Sequence, residues 1–193
     1  MKQVRIHGRG GQGVVTGAEM LSVAAFVEGR HAQAFPSFGS ERTGAPVVAF
    51  CRIGDVPIRT HEPVTRPDVV IIQDVTLLHQ VDAFEGLRSD GYVLLNTAGT
   101  LAELGIDDLV RRLPPAHVVT LPATELAMSH IGRPVPNSAL LGGFAALTRL
   151  VSLDSVAAAI RTRFAERLAE ANIAAARDAY RVVAATTEEL TRA

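Results

Sequence analysis

Seven residues near the start of the chain, His7-Gly8-Arg9-Gly10-Gly11-Gln12-Gly13, constrain the fold more than any other stretch. Residues 3–7 ahead of them alternate polar and apolar, as a strand does. Residues 14–27 behind them form an apolar-rich run without proline that reads as a helix. Gly8, Gly10 and Gly13 sit at G-x-G-x-x-G spacing between the two. Glycine lets a backbone turn tightly and approach a ligand with no Cβ in the way. The helix that follows points unpaired N–H groups and its positive dipole end at the turn. An anion, most often a phosphate, is the natural guest, and Arg9 can add a positive charge. The same spacing also serves a plain strand-to-helix crossover that binds nothing, and the loop alone leaves both readings open. A dinucleotide site asks for an acid about 20 residues further on, to hold a ribose hydroxyl. Residues 30–35 contain none and Glu28 comes too early, so the loop suits a phosphate better than NAD.

The rest of the chain reads as strands alternating with helices. Strands are expected at 31–35, 46–53, 68–74, 91–96 and 117–121. The Val69-Val70-Ile71-Ile72 run fits a strand buried on both faces, as in a parallel sheet. Gly54-Asp55 suggests a turn into a short return strand at 56–60, a hairpin. Helices are expected at 75–87, 100–113, 123–131, from Asn137, which can cap it, to about Val151, and through 153–190 with a break near Asn172. Ser155 or Asp154 can start the last of these. This pattern predicts an α/β fold: a Rossmann-like, mostly parallel sheet flanked by helices, with a helical C-terminal tail. Residues 1–152 make the Rossmann-like domain and 153–193 a helical extension of it. Gly142-Gly143 inside a helix costs roughly 1 kcal/mol per glycine against alanine, which implies close packing on a neighbouring backbone or a partner chain.

Composition limits the chemistry. A 193-residue chain with 48% apolar and 20% charged residues should fold as one domain, and its net charge of -1 argues against a general nucleic-acid binder. Cys51 is the only cysteine, so neither an internal disulfide nor a four-cysteine iron–sulfur cluster can form from this chain. It reads as a buried strand residue. The six histidines are scattered without metal-ligand spacing, and no nucleophile–base pair is legible. No catalytic residue and no metal ligand is therefore assigned. No signal peptide and no membrane-length apolar run is legible, so a cytoplasmic location without membrane contact is expected.

Residues 36–46 form a polar, proline- and glycine-punctuated loop. Ser37, Ser40 and Thr43 can donate hydrogen bonds there, and Arg42 can meet a phosphate or carboxylate. A connector would also look like this, though its length and its hydroxyls favour a ligand loop. Asp74 and Asn96 end buried strands, where open α/β sheets bind ligands. Capping of the next helix is the better-supported role for either one alone.

RIHGRGGQGVVT at residues 5–16 and QAFPSFGSERTGAPV at residues 33–47, together with Asp74, Asn96, Pro136-Asn137 and Leu141-Gly142, resemble the gamma subunit of 2-oxoacid:ferredoxin oxidoreductases. The resemblance runs to about Val151. It implies a Rossmann-like layer in a complex that converts a 2-oxoacid and coenzyme A to acyl-CoA and carbon dioxide and passes two electrons to ferredoxin. Thiamine diphosphate with magnesium and the iron–sulfur clusters are then expected on alpha, beta and delta-type partner subunits. The gamma unit would contribute coenzyme A binding and assembly contacts. In that reading Gly8, Arg9, Gly10, Gly11, Gln12 and Gly13 hold the coenzyme A phosphates, and Ser40, Arg42 and Thr43 close over the nucleotide or pantetheine. Asn96 joins them as a further binding candidate. The 2-oxoacid is not specified by this chain, nor is the acceptor, which is ferredoxin or NAD through an added flavin subunit. Two other readings stay open: a stand-alone nucleotide-dependent oxidoreductase, and a purely structural subunit.

Overall fold

The structure, a computed structural model, describes residues 1–37 and 43–192. Among these residues the elements are β1 (Lys2–Arg9), α1 (Val14–Val27), β2 (His31–Pro36), β3 (Pro46–Gly54), β4 (Val69–Ile72), a 3-10 turn (Val75–His79), β5 (Tyr92–Asn96), α2 (Asp107–Arg112), β6 (Val118–Leu121), α3 (Ala123–Ile131), α4 (Asn137–Thr148), α5 (Leu153–Arg163) and α6 (Glu166–Arg192). The strands make one sheet in the order β2-β3-β1-β4-β5-β6. β1, β4, β5 and β6 run parallel, while β3 is antiparallel to both β1 and β2. The sheet is mostly parallel and flanked by helices, as the strand–helix alternation indicates.

Alternation along the strands divides the sheet into two faces. Val4, Ile6, Val69, Ile71 and Leu94 face a core shared with α1, α4, α5 and α6. Val70, Ile72, Val93 and Leu95 face a smaller one, closed by turns and by α2. α4 is the centre of the larger layer, with every residue from Asn137 to Leu147 buried. Gly142 explains how it gets there: a Cβ on it would lie 2.0 Å from the Ala176 carbonyl oxygen of α6. Gly142 thus marks close backbone packing within this chain, and Gly143 makes room for the side chains of Leu121, Val183 and Leu94. Glu28, at the end of α1, accepts from Ser152 N and Ser155 Oγ, both at 2.6 Å, and ties the start of α5 to α1.

Five expected elements differ. Residues 56–60 form no strand, because β3 already has β1 and β2 on its two edges and offers nothing to pair with. Instead the Arg52 guanidinium donates to the Thr60 and Glu62 carbonyls and pins that segment to the sheet. The helix expected at 75–87 shrinks to the 3-10 turn. Gly86, at φ +71, presses on the Thr65 carbonyl where a Cβ would not fit. The helix expected at 100–113 is only α2, preceded by Gly105 in the left-handed region at φ +66. The C-terminal helix breaks at Phe164, whose backbone is extended, rather than at Asn172. Asn172 stays helical because its side chain is occupied: Nδ2 donates to Leu168 O at 2.8 Å and Oδ1 accepts from Ser138 Oγ at 2.7 Å. Finally, Ser152 caps α5, accepting from Ser155 N at 3.1 Å.

Candidate functional site

β1 runs through Gly8 and Arg9, two residues further than the alternation alone suggests, and the chain then turns into α1. Each glycine of the turn has its own reason. A Cβ on Gly8 would sit 2.6 Å from Val14 Cγ2 and 2.9 Å from Gln73 Oε1, so these side chains close over the strand where a Cβ would stand. Gly13 precedes α1 at φ +74, and a Cβ there would lie 2.6 Å from Asn137 Nδ2. Gly8 and Gly13 answer packing, while Gly11, at φ +94, faces open space.

Among the described residues no side chain caps α1. Its backbone ladder begins at Gly17 N, which donates to Gly13 O at 2.8 Å, leaving the N–H groups of Val14, Val15 and Thr16 as the orphan donors of a helix start. These residues, with Arg9, Gly10, Gly11, Gly13 and Val47, line a cavity of about 290 Å³. Larger clefts of about 600 and 580 Å³ lie elsewhere, beside Leu78–Phe84 and between Tyr92 and Arg192.

The polar side chains of the loop bind one another. Gln12 Oε1 accepts from Arg9 N at 2.7 Å, and Gln12 Nε2 donates to Asp74 Oδ2 at 3.0 Å. Arg9 Nε donates to the same carboxylate oxygen at 3.0 Å. The other Arg9 nitrogens reach Gly44 O at 3.1 Å and Thr76 Oγ1 at 2.7 Å. Asp74 Oδ1 accepts from Thr76 N at 3.0 Å, which caps the 3-10 turn. Burial by itself would raise the Asp74 carboxyl. Hydrogen bonds from Thr76 and Gln12, with Arg9 alongside, hold it below its ordinary value. The positive charge that the sequence places in the loop is therefore paired with a carboxylate from the end of β4.

Thr43 comes to this loop through a bridge to Gly10, and Gly10 N donates to Ala45 O at 2.9 Å. Ser40 and Arg42 lie outside the described residues. Asn96 stands one strand away with its amide engaged: Nδ2 donates to Gln73 O and Thr124 Oγ1, both at 2.8 Å, and Oδ1 accepts from Thr124 N at 3.0 Å. It cross-links β4, β5 and the start of α3 and does not face the glycine loop's cavity. Gln73 received no role from the sequence, and Asn137 only that of capping the helix it starts, which the structure does not give it. Gln73 is buried against Gly8 and leaves Oε1 unpartnered. Asn137 is the first residue of α4 rather than the residue before it, and its Nδ2 donates to Gly13 O at 3.4 Å. Burial pushes the Cys51 thiol up to about 12, so it is an inert core residue of β3.

A family model for pyruvate ferredoxin/flavodoxin oxidoreductase matches residues 3–182. The chain belongs to this family. Within it, the common gamma subunit of the pyruvate and ketoisovalerate oxidoreductases of Pyrococcus abyssi is 46% identical over 180 residues, covering 93% of this chain and 96% of that one. Pyruvate oxidoreductase subunit PORC of Thermotoga maritima superposes with a TM-score of 0.78 at 35% identity, over 93% of this chain and 95% of that one. The fold also recurs, at 17% identity and a TM-score of 0.69, as 32% of a longer chain of the 2-oxoglutarate:ferredoxin oxidoreductase of Magnetococcus marinus, solved with 2-oxoglutarate, coenzyme A and succinyl-CoA bound. The chain is thus a gamma subunit of a 2-oxoacid oxidoreductase complex. Among its described residues no helix is long and apolar enough to cross a membrane.

Proposed function

We propose that this gamma subunit supplies the coenzyme A phosphate site of its complex. The observation that carries the reading is the start of α1: orphan backbone donors at Val14–Thr16, with no side-chain cap, open into a cavity under Gly10, Gly11 and Gly13. A phosphate at that point meets N–H groups and the positive end of a fourteen-residue helix. The Asp74 carboxylate does not oppose it strongly, because Arg9 and Gln12 are bound to it. The Magnetococcus enzyme, which shares the fold, holds coenzyme A. Arg42, Ser40 and Thr43 close over the nucleotide or pantetheine in this reading. Thiamine diphosphate and iron–sulfur clusters on alpha-, beta- and delta-type partners would supply the decarboxylation chemistry and the electron path to ferredoxin or to an NAD-linked flavin subunit, while this chain would orient coenzyme A toward them. Cys51 is buried and single, so the clusters are assigned to those partners.

Gly11→Asp and Gly11→Asn, measured in the assembled complex, test the site. Both side chains tolerate the left-handed backbone at this position and match in size. Only Asp adds a negative charge beside the phosphate, worth about 1–2 kcal/mol at an effective dielectric near 20. The KM for coenzyme A should rise roughly tenfold from Asn to Asp, with kcat at saturating coenzyme A little changed. Equal KM values for the two variants would refute the site. Arg42→Ala should also raise this KM while leaving cluster content intact.

The network around Asp74 favours a second reading, in which the loop is a structural latch that binds nothing. That reading expects both Gly11 variants to alter stability or assembly and neither to alter the KM for coenzyme A.

A further inference from the structure

Asp74 lies 61 or more residues from Gln12, Arg9 and their loop in sequence, yet its carboxylate is where the loop is fastened. The Gln12 amide is the pivot. Its oxygen holds Arg9 N at 2.7 Å and its nitrogen holds Asp74 Oδ2 at 3.0 Å, so the amide is fixed at both ends. Arg9 Nε takes the same oxygen, and the other Arg9 nitrogens fasten Gly44 and Thr76. Gly11 and Gly13 have left-handed φ values, and although Gly13 packs on Asn137, Gly11 has nothing within 4 Å of where a side chain would start. Glycine backbones have many conformations available, and the orientation of Gly10–Gly13 over the α1 donors needs something outside the loop to select it.

We propose that Asp74 is a positioning residue for coenzyme A: through Gln12 and Arg9 it holds the Gly10–Gly13 backbone in the orientation that leaves the first donors of α1 open to a phosphate. It does not touch the ligand. Its negative charge cancels that of Arg9, so the site selects a phosphate by the geometry of neutral N–H donors rather than by net charge. This inference rests on the coenzyme A reading and assigns a further residue to it.

Asp74 also caps the 3-10 turn through Thr76 N, a merely structural role that must be separated from positioning. Asp74→Ser keeps a capping oxygen and is too short to reach Gln12 and Arg9. In the assembled complex Asp74→Ser should raise the KM for coenzyme A about tenfold, as expected for loss of a charge-assisted hydrogen bond, with kcat at saturation retained. Gln12→Met cuts the same connection from the loop side and should have a similar effect. Because both act through one link, the double variant should be no worse than the more affected single one. Thr76→Val removes only a hydroxyl partner and leaves the Gln12 link intact, so it should change this KM least. Asp74→Glu, which restores a carboxylate, should recover part of the loss. If Gly11→Asp raises the KM relative to Gly11→Asn while Asp74→Ser leaves it unchanged or lowers it, the positioning role is overturned and the phosphate site stands. Fully additive effects of Asp74→Ser and Gln12→Met would overturn it too. If neither Gly11 variant moves the KM, the phosphate site itself fails.

Discussion

A methyl group at position 142 would sit 2.0 Å from the carbonyl oxygen and 2.7 Å from the Cα of Ala176, a backbone that no rotamer change can move aside. Helix propensity alone would reward Gly142→Ala by about 1 kcal/mol, but forcing atoms into a packed backbone contact costs about 1–3 kcal/mol or more. The clash should win, giving a net loss near 2 kcal/mol and a clearly lower midpoint in thermal unfolding. Gly29→Ala is the control: its φ of +76 strains a side chain, yet nothing lies within 4 Å, so about 1 kcal/mol is expected. His7 sets a pH dependence. It is 6% exposed, and burial, helped by the Arg5 charge, lowers its pKa from 6.5 to about 4. The unfolded chain therefore binds a proton that the folded chain refuses between those two values. Stability is full above pH 6.5, falls as the pH drops toward 4 by about 3 kcal/mol in all, and levels off below that. Urea unfolding at pH 7, 6 and 5 should show this slope, and His7→Phe should flatten it. Sequence spacing shows that glycine is needed around position 8 and at 142. It does not show that one answers Val14 and Gln73 and the other Ala176, since those contacts join residues distant in the chain.

At the scale of elements, α4 and α6 are joined by a buried polar contact as well as by small side chains. Ser138 Oγ donates to Asn172 Oδ1 at 2.7 Å, and both residues are buried. Ser138→Ala or Asn172→Leu leaves the other partner buried without its hydrogen bond, at about 1–3 kcal/mol each. The double variant Ser138→Ala/Asn172→Leu should cost less than the sum, and a thermodynamic cycle on urea melts measures the difference. Additive losses would show that the two groups find other partners. Strands such as Val69–Ile72 were legible because a branched apolar run has one good use in an α/β sheet. The strand expected at 56–60 failed because pairing depends on which edges are free, which sheet order decides and local pattern does not. The helix expected at 100–113 failed at Gly105, whose left-handed backbone ends any helix that reaches it, while the one expected at 75–87 closes after a 3-10 turn at His79, well before the left-handed Gly86. In the site, the glycine loop and its helix were legible as local features. Asp74 could be placed at a strand end but its link to Gln12 could not; Asn137 was legible as a helix start but not as a partner of Gly13, and Gln73 gave no local signal at all.

On the scale of the whole molecule, the C-terminal helices complete the domain. α4 is buried throughout from Asn137 to Leu147 because it lies between the sheet and α6. α6 presents Ala169, Ile173, Ala176, Ala179 and Val183 to that layer, at the three- and four-residue spacing of one helix face. α5 adds Val156, Ala159 and Ile160 and is held to α1 through Glu28. Removing residues 153–193 would leave one face of a Leu-, Phe- and Ala-rich helix in water, a contiguous apolar surface of the kind that soluble chains do not sustain. It would also strip the Asn172 partner from buried Ser138. The helical tail is thus an integral part of one core, although the strand–helix alternation of residues 1–152 reads as complete by itself. The full chain should unfold in a single cooperative transition, followed equally by far-ultraviolet and near-ultraviolet circular dichroism. A chain of residues 1–152 should lack that transition and bind an apolar dye, as a collapsed state without fixed packing does. A cooperative melt of residues 1–152 near the midpoint of the full chain would show instead that the sheet and α4 fold without their cover. The glycine loop would then owe its geometry to β1, β4 and α1 alone, and the tail would be free to serve the rest of the complex.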